Sequence, residues 1–214
     1  IRETIRVASV EHRLLEGNVG YVRLKQFQAN TAGDLEAALN DMRKHGELKG
    51  LVLDLRGNPG GLIDQAAKVA DKFITSGPIV ATVGNPSEGR EEKGAHADGT
   101  EPNYPIALLV NGSSASASEI VAGALKDRGR AVVVGERTFG KGSIQIVREF
   151  GDGSSTRLTT ALWLTPTKRT IDKQGITPDI GLGPEGEAVD DLLRPALAQP
   201  RLPRGLGPTD PDGR

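Results

Sequence analysis

The sequence predicts an α/β protein with a largely parallel sheet. Short apolar runs recur along the chain, segments with helical spacing separate them, and glycine-rich loops connect the two kinds of element. Glycine accounts for 28 of the 214 residues, well above the usual share of about 7%. Because these glycines lie in short loops and form no repeat, a collagen-like or low-complexity chain is excluded.

The first elements follow from alternation and helical spacing. Residues 21–24 alternate between apolar and polar types and predict a strand. Thr31 followed by Asp34 resembles a capping box, with Asp in place of Glu, at the start of a helix that Gly46 ends. The apolar run at 51–55 then predicts a buried strand.

The middle of the chain continues the same pattern. A helix is predicted over 62–73, and the polar, glycine-rich stretch 84–105 is expected to be a mobile surface loop. A buried strand at 106–110 leads through a turn into a third helix, and 131–134 is again a strand. Strands that alternate with helices favour parallel pairing.

The C-terminal part differs in character. Residues 143–150 alternate, Gly151 to Gly153 give a hairpin signal, and 156–164 predict the partner strand of an additional β-hairpin. Prolines concentrate from Pro184 onward. We expect residues 1–183 to form one core and residues 184–214 to be a proline-rich, partly disordered tail.

Composition excludes several classes of function. The formal net charge is −1 and aromatic residues make up 3% of the chain, so neither a basic coat for a polyanion nor a stacking platform for nucleic acid is expected. The chain has no cysteine, which removes disulfides, thiolate metal sites and cysteine nucleophiles. It starts at Ile1 without a signal-peptide pattern, so we expect a fragment or a processed form.

Residues 135–141 have the G-x-x-x-x-G-K spacing of a phosphate-binding loop. Two features argue against nucleotide binding. Gly142 stands where a hydroxyl would hold magnesium, and the following residues alternate like a strand instead of starting a helix.

A serine cluster at 113–118 lies between a buried strand and a helix. Any one of these serines taken alone is best explained as a helix cap. Four serines with small neighbours at a helix N-terminus exceed that need, and such a terminus attracts an anion. A nucleophilic serine needs a base, and none of the histidines His12, His45 and His96 lies in a recognisable motif. Lys141, in a glycine-flanked turn, is the plausible partner.

Several segments together resemble the carboxyl-terminal processing peptidases, also called tail-specific proteases. The resemblance extends from about residue 19 to residue 180 and rests on these segments in order: Asp54-Leu55-Arg56-Gly57-Asn58-Pro59-Gly60-Gly61, Ser116-Ala117-Ser118-Glu119-Ile120, Phe139-Gly140-Lys141-Gly142 with Gln145, Thr165-Pro166, and Gly175-Ile176-Thr177-Pro178-Asp179. The spacing alone does not select Ser116 over Ser114, and that choice rests on the resemblance.

The resemblance implies a Ser–Lys protease on a crotonase-like α/β core. Ser116 would attack the scissile carbonyl, Lys141 would take its proton, and Gln145 would orient the amine. Positions 141 and 145 have the same parity, so both side chains could face one side of a strand. The N–H groups of Gly61 and Ala117 would form the oxyanion hole.

The family also sets expectations about partners and location. Its members typically carry a PDZ domain that binds the substrate's C-terminus, and this chain begins at about the point where that domain would end. The implied substrates are proteins or peptides with apolar C-termini, in an exported, periplasmic or extracytoplasmic setting. No cofactor and no nucleic acid is expected, and homo-oligomers are left open.

Two points limit the resemblance. Residues 166–169 read Pro-Thr-Lys-Arg where the family more often has Ser-Gly after the proline. Retinoid-binding repeats share the core without cleaving peptides, so an inactive binding module is the alternative to an enzyme. Such repeats would be expected to lack the full set of Ser116, Lys141 and Gln145.

Overall fold

The computed structural model describes residues 8–84 and 90–181. In chain order the elements of these ranges are β1 (Val10–Leu15), β2 (Val19–Leu24), α1 (Thr31–Arg43), β3 (Gly50–Asp54), α2 (Ile63–Asp71), β4 (Gly77–Val83), β5 (Arg90–Ala95), β6 (Ile106–Val110), α3 (Ala117–Asp127), β7 (Val132–Gly135), β8 (Ser143–Glu149), β9 (Ser155–Leu164) and β10 (Ile180–Gly181). The proposed division at residue 183 and the proline-rich tail lie outside the described residues and stay predictions.

The larger sheet has six strands in the order β1-β2-β3-β6-β7-β10. β1 runs antiparallel to β2, and every other pairing in this sheet is parallel. The central strands β3 and β6 are buried along their whole length, as expected for parallel strands between covered faces. The mainly parallel α/β fold predicted from the sequence is therefore correct.

Alternate residues of the central strands enter two separate cores. Leu51 and Leu53 belong to the larger core, which also takes the buried faces of all three helices, whereas Val52 belongs to a smaller core on the opposite face. This division follows from the two-residue period of a strand.

A second sheet of four antiparallel strands has the order β5-β4-β9-β8. β8 and β9 pair around the turn at 150–154, over the residues for which alternation predicts a strand and its partner. Trp163 of β9 and Ile79 of β4 are buried in the larger core, so this sheet packs against the same helices as the first. Within the described ranges, no helix combines the length and apolar character that crossing a bilayer requires.

Two local predictions are wrong. The stretch 84–105 contains β5, which pairs antiparallel with β4, although its charged sequence carries no strand signal. The capping box at Thr31 does not form, because its hydroxyl accepts the Gln28 N–H and donates to Ser9 instead. The helix nevertheless begins at Thr31.

Candidate active site

The predicted site residues lie at one edge of the larger sheet. β3, β6 and β7 are parallel neighbours, so the loops that follow them leave the sheet at the same side. These loops contain Gly61, Ser116 and Lys141, respectively. In α/β folds the carboxyl edge of parallel strands is the usual place for a site.

Ser116 occupies the N-cap of α3 in an unusual backbone conformation, with φ +55° and ψ −114°. A positive φ is uncommon for a residue with a side chain and costs of order 1–3 kcal/mol. The side chain is half-buried. The turn is fixed on both sides, because the N–H of Ala115 donates to the carbonyl of Asn58 at 3.0 Å and the Ser116 carbonyl accepts the Glu119 N–H at 2.8 Å.

The structure distinguishes the serines that the sequence leaves equivalent. The Ser114 hydroxyl is fully buried and donates to the Leu55 carbonyl at 2.8 Å. The Ser118 hydroxyl is also buried and donates to the Asn58 carbonyl at 3.0 Å. Ser118 therefore ties α3, and Ser114 ties the turn before it, to the loop after β3, whereas Ser116 lies half-buried at the N-cap between them.

The loop after β3 packs directly on this turn at Gly60. A β-carbon at Gly60 would lie 2.9 Å from Cβ of Ser116 and 3.0 Å from the nitrogen of Ala117, and the residue has φ +103°. The Gly60 N–H is already bonded to Oδ1 of Asn58 at 2.8 Å. Close contact and a positive φ together explain why glycine is needed at this position.

Two N–H groups near the turn are left available. Within the described part of the chain, the N–H groups of Gly61 and Ala117 donate to no protein acceptor. Ala117 is the first residue of α3, so its N–H has no partner inside the helix. These are the two groups that the resemblance assigns to an oxyanion hole, and the helix dipole adds partial positive charge there.

A buried carboxylate supports the loop from below. Asp54, at the end of β3, accepts hydrogen bonds from the Tyr21 hydroxyl at 2.7 Å and from the Arg56 guanidinium at 3.0 and 2.7 Å. Burial alone raises the pKa of the Asp54 carboxyl, but the hydrogen bonds from Arg56 and Tyr21 outweigh burial and lower that pKa below its usual value. The carboxylate therefore stays charged and holds the first residues of the loop.

Lys141 lies in the loop between β7 and β8 and is half-buried. Its backbone is held at both ends, because its N–H donates to Oε2 of Glu119 at 2.8 Å and its carbonyl accepts the Trp163 indole N–H at 3.1 Å. Among the described residues, the Lys141 ammonium forms no hydrogen bond with Ser116 or with any other group. Catalytic hydrogen bonds are often long in unliganded enzymes.

Gln145 lies farther along, in β8, with an exposed side chain. Its amide donates to the Thr159 hydroxyl at 3.3 Å and forms no bond with Lys141. Lys141 precedes β8, so strand alternation does not set the relative direction of these two side chains. The structure thus packs the loop of Gly60 and Gly61 on the turn of Ser116 and Ala117. It links the backbone of Lys141 to that of Ser116 through Glu119, while Gln145 contacts Thr159.

Glu119 is the site residue that the sequence analysis missed. Its side chain is fully buried in α3, and its carboxylate joins the turn of Ser116 to the loop of Lys141. The signal was present, since Ser116 to Glu119 reads S-x-x-E, the pattern of a capping box. The contacts to the second loop depend on tertiary folding and have no such pattern.

The structure gives no support to metal or nucleotide binding at this edge. In the described ranges, His, Asp and Glu side chains form no cluster of three or more that could hold a metal ion. The segment 135–141 leads into the strand β8 and not into a helix. Its Gly140 and Lys141 N–H groups are bonded to Glu119, so neither is directed at a phosphate.

Fold and site together define a mixed α/β protein in which a strained serine begins a helix at the carboxyl edge of a mainly parallel sheet. Residues 18–182 match the model of peptidase family S41, and the chain belongs to that family. A carboxy-terminal-processing protease of Bartonella bacilliformis is 48% identical over 183 residues, which are 84% of this chain and 42% of that relative. A probable CtpA-like serine protease of Staphylococcus epidermidis is 43% identical over 85% of this chain and 37% of that relative.

The fold likeness agrees with the sequence matches. The solved structure of a photosystem II D1 C-terminal processing protease superimposes with a TM-score of 0.75 at 35% identity, over 92% of this chain and 54% of that chain. This chain spans less than half the length of the two curated relatives.

Proposed function

We propose that this chain is the catalytic region of a serine endopeptidase that cleaves protein substrates near their C-termini. The proposal rests above all on one observation: a half-buried serine with a strained backbone lies against the loop of Gly60 and Gly61, and the N–H groups of Gly61 and Ala117 have no acceptor among the described residues. Membership of peptidase family S41 and the names of the relatives support the same activity. We further infer that the α/β core is a variant of the crotonase fold, as the resemblance implies.

In the proposed reaction, the Ser116 hydroxyl attacks the scissile carbonyl and the neutral amine of Lys141 accepts its proton. The oxyanion of the tetrahedral intermediate accepts hydrogen bonds from Gly61 and Ala117. Lys141 then gives the proton to the leaving amine, and water hydrolyses the acyl-enzyme by the same steps. Gln145 is assigned the orientation of the Lys141 amine, which requires it to leave Thr159.

Apolar side chains flank the proposed oxyanion hole and favour an apolar substrate segment. Leu62, directly after Gly61, is 52% exposed, and Phe139, two residues before Lys141, is 66% exposed. Exposed apolar side chains next to a site can gain binding energy from apolar groups of a ligand. We therefore keep protein or peptide substrates with apolar C-termini as the proposed substrate class.

The test is hydrolysis of an activated ester and of an extended peptide by four matched variants. Ser116→Ala and Lys141→Ala should lose at least about 1,000-fold in kcat, because each removes a reacting group. Ser113→Ala and Lys168→Ala change exposed residues of the same types and should stay within about twofold. Full activity of a folded Ser116→Ala or Lys141→Ala protein would overturn the proposed mechanism.

A non-catalytic binding module is the second candidate, and one observation favours it: Ser116 and Lys141 are not hydrogen-bonded to each other in the described structure. The same kinetic series decides between the two, because a binding module would show no hydrolysis that depends on Ser116. Location outside the cytoplasm also remains a proposal, compatible with the absence of cysteine. Cell fractionation of the native protein tests it.

A further inference from the structure

We propose that Glu119 is a positioning residue that holds the nucleophile and the base of the proposed dyad in register. The inference rests on the proposed function and adds to it a residue that touches neither substrate nor reacting atoms. It follows from the hydrogen bonds of one buried carboxylate.

The Glu119 carboxylate accepts four hydrogen bonds from two different segments. Oε2 accepts the N–H of Ser116 at 2.8 Å and the N–H of Lys141 at 2.8 Å. Oε1 accepts the N–H of Gly140 at 2.7 Å and the hydroxyl of Thr138. A single oxygen thus connects the backbones of the two residues that would exchange a proton.

This oxygen links the backbone of Ser116 directly to the backbone of Lys141. In the described structure the side chains of Ser116 and Lys141 form no hydrogen bond with each other, so the relative position of the two residues depends on contacts of their backbones. The Phe139 N–H adds a second anchor at the carbonyl of Ser114, at 3.0 Å. The Trp163 indole N–H donates to the carbonyl of Lys141 and so fixes the other end of that residue.

The hydrogen-bond complement is specific for a carboxylate. Three backbone N–H groups and one hydroxyl donate to the two oxygens, and the side chain is fully buried. A glutamine at position 119 has one acceptor oxygen and one NH2 donor. Its nitrogen would therefore confront either the N–H groups of Ser116 and Lys141 or the N–H of Gly140, and would push these donors away. The Thr138 hydroxyl can rotate to accept, so it relieves only its own contact.

The catalytic consequence is a loss of alignment without a loss of substrate binding. A displacement of about 1 Å between reacting groups can cost about 100-fold in rate. We expect Glu119→Gln to lower kcat for an activated ester by at least about 100-fold and to leave KM within about threefold. Glu136→Gln is the matched control, because that exposed carboxylate in the same loop accepts, among the described residues, a single long hydrogen bond of 3.3 Å from Gly112. The kcat of this variant should stay within about twofold of the native value.

A double-mutant cycle separates positioning from general damage to the fold. If Glu119 acts through Lys141, then Glu119→Gln has no further effect once Lys141 is alanine, and the double variant should match Lys141→Ala within about threefold. The rates are measured at pH 9, where hydroxide supplies an alternative base. The rate of the Ser116→Ala variant is subtracted as the background. A further loss of 10-fold or more in the Lys141→Ala background, or near-native kcat of Glu119→Gln alone, overturns the inference.

The proposed function can be refuted independently of this inference. Near-native activity of Lys141→Ala would show that Lys141 is not the base, whereas the hydrogen bonds of Glu119 would be unaffected. If Glu119→Gln does not fold, Thr138 provides a second test. Thr138→Val deletes the hydrogen bond to Oε1 together with the one that the hydroxyl accepts from the Ile176 N–H, and Thr138→Ser keeps both. The inference requires kcat to fall at least about 10-fold in the valine variant and to recover to within about threefold in the serine variant; equal activity of the two overturns it.

Discussion

Replacing Gly60 by alanine tests the contact between the loop after β3 and the nucleophile turn. The new methyl group would lie 2.7 Å from the carbonyl oxygen of Ala115, 2.9 Å from Cβ of Ser116 and 3.0 Å from the nitrogen of Ala117. Two of these three neighbours are backbone atoms, which cannot rotate away. The loop or the turn must therefore shift.

The expected cost has two parts. A side chain at φ +103° costs of order 1–3 kcal/mol in strain, and overpacking typically adds about 1–3 kcal/mol. Gly60→Ala should thus lower the free energy of unfolding by about 2–6 kcal/mol. Displacement of Ser116 relative to the N–H of Gly61 should lower kcat by about 100-fold.

Gly57→Ala is the matched control on the same loop. Gly57 also has a positive φ, +72°, but a β-carbon there meets nothing within 4 Å. Its variant carries only the backbone strain of a positive φ, of order 1–2 kcal/mol, without the overpacking, and should keep near-native activity. Urea denaturation and ester hydrolysis measure both quantities. Equal stability and equal kcat of the Gly60→Ala and Gly57→Ala variants would refute the proposed packing.

Three further predictions concern stability and substrate binding. Burial raises the pKa of the Asp127 carboxyl, but hydrogen bonds from the 165–169 turn outweigh burial and lower it; its stabilisation is therefore present above an unfolded-state pKa of about 3.9 and is lost as pH falls below it. In urea titrations, Asp127→Asn should lower the free energy of unfolding by about 1–3 kcal/mol at pH 7 and should reduce the loss of stability at acid pH. An unchanged loss of stability at acid pH would contradict this prediction. Lys168 has φ +62° in that turn, so thermal denaturation should show Lys168→Gly to be about 0.5–1 kcal/mol more stable, whereas a loss would argue against the left-handed conformation. Phe139→Ser should raise KM for an apolar peptide severalfold while Phe150→Ser, a 50% exposed control, does not; equal KM values would remove Phe139 from the substrate surface.

The larger sheet could be predicted because its strands are continuous apolar runs. Ile106–Val110 is buried at every position, and a short run of five apolar residues between turn signals favours a buried strand. β5 could not be predicted, because Arg90–Ala95 is charged and becomes a strand only through pairing with β4. Only residues 84–89 separate the two strands, but the charged residues of β5 show no apolar alternation, so the pairing depends on cross-strand contacts that a local pattern does not encode.

The candidate site shows the same limit. The resemblance supplies Ser116, and the structure supplies a physical reason. Ser114 is fully buried and its hydroxyl donates to the Leu55 carbonyl, whereas Ser116 is half-buried at the N-cap of α3. Two S/T-x-x-acid patterns stand at helix starts in the described structure, at Thr31 and at Ser116, and they behave differently. The first loses its hydroxyl to Gln28, whereas the acid of the second, Glu119, reaches residues 138–141, which only the fold brings near.

The most direct test of the central claim is to map the adduct of a fluorophosphonate probe by mass spectrometry of the digested protein. Such probes react with an activated serine and leave a covalent mark on its oxygen. The account predicts one adduct, on Ser116, that disappears in Ser116→Ala and slows by at least about 100-fold in Lys141→Ala. An adduct on Ser113 or Ser114, or labelling at an undiminished rate in Lys141→Ala, would contradict the assignment of Ser116 as nucleophile and Lys141 as its base.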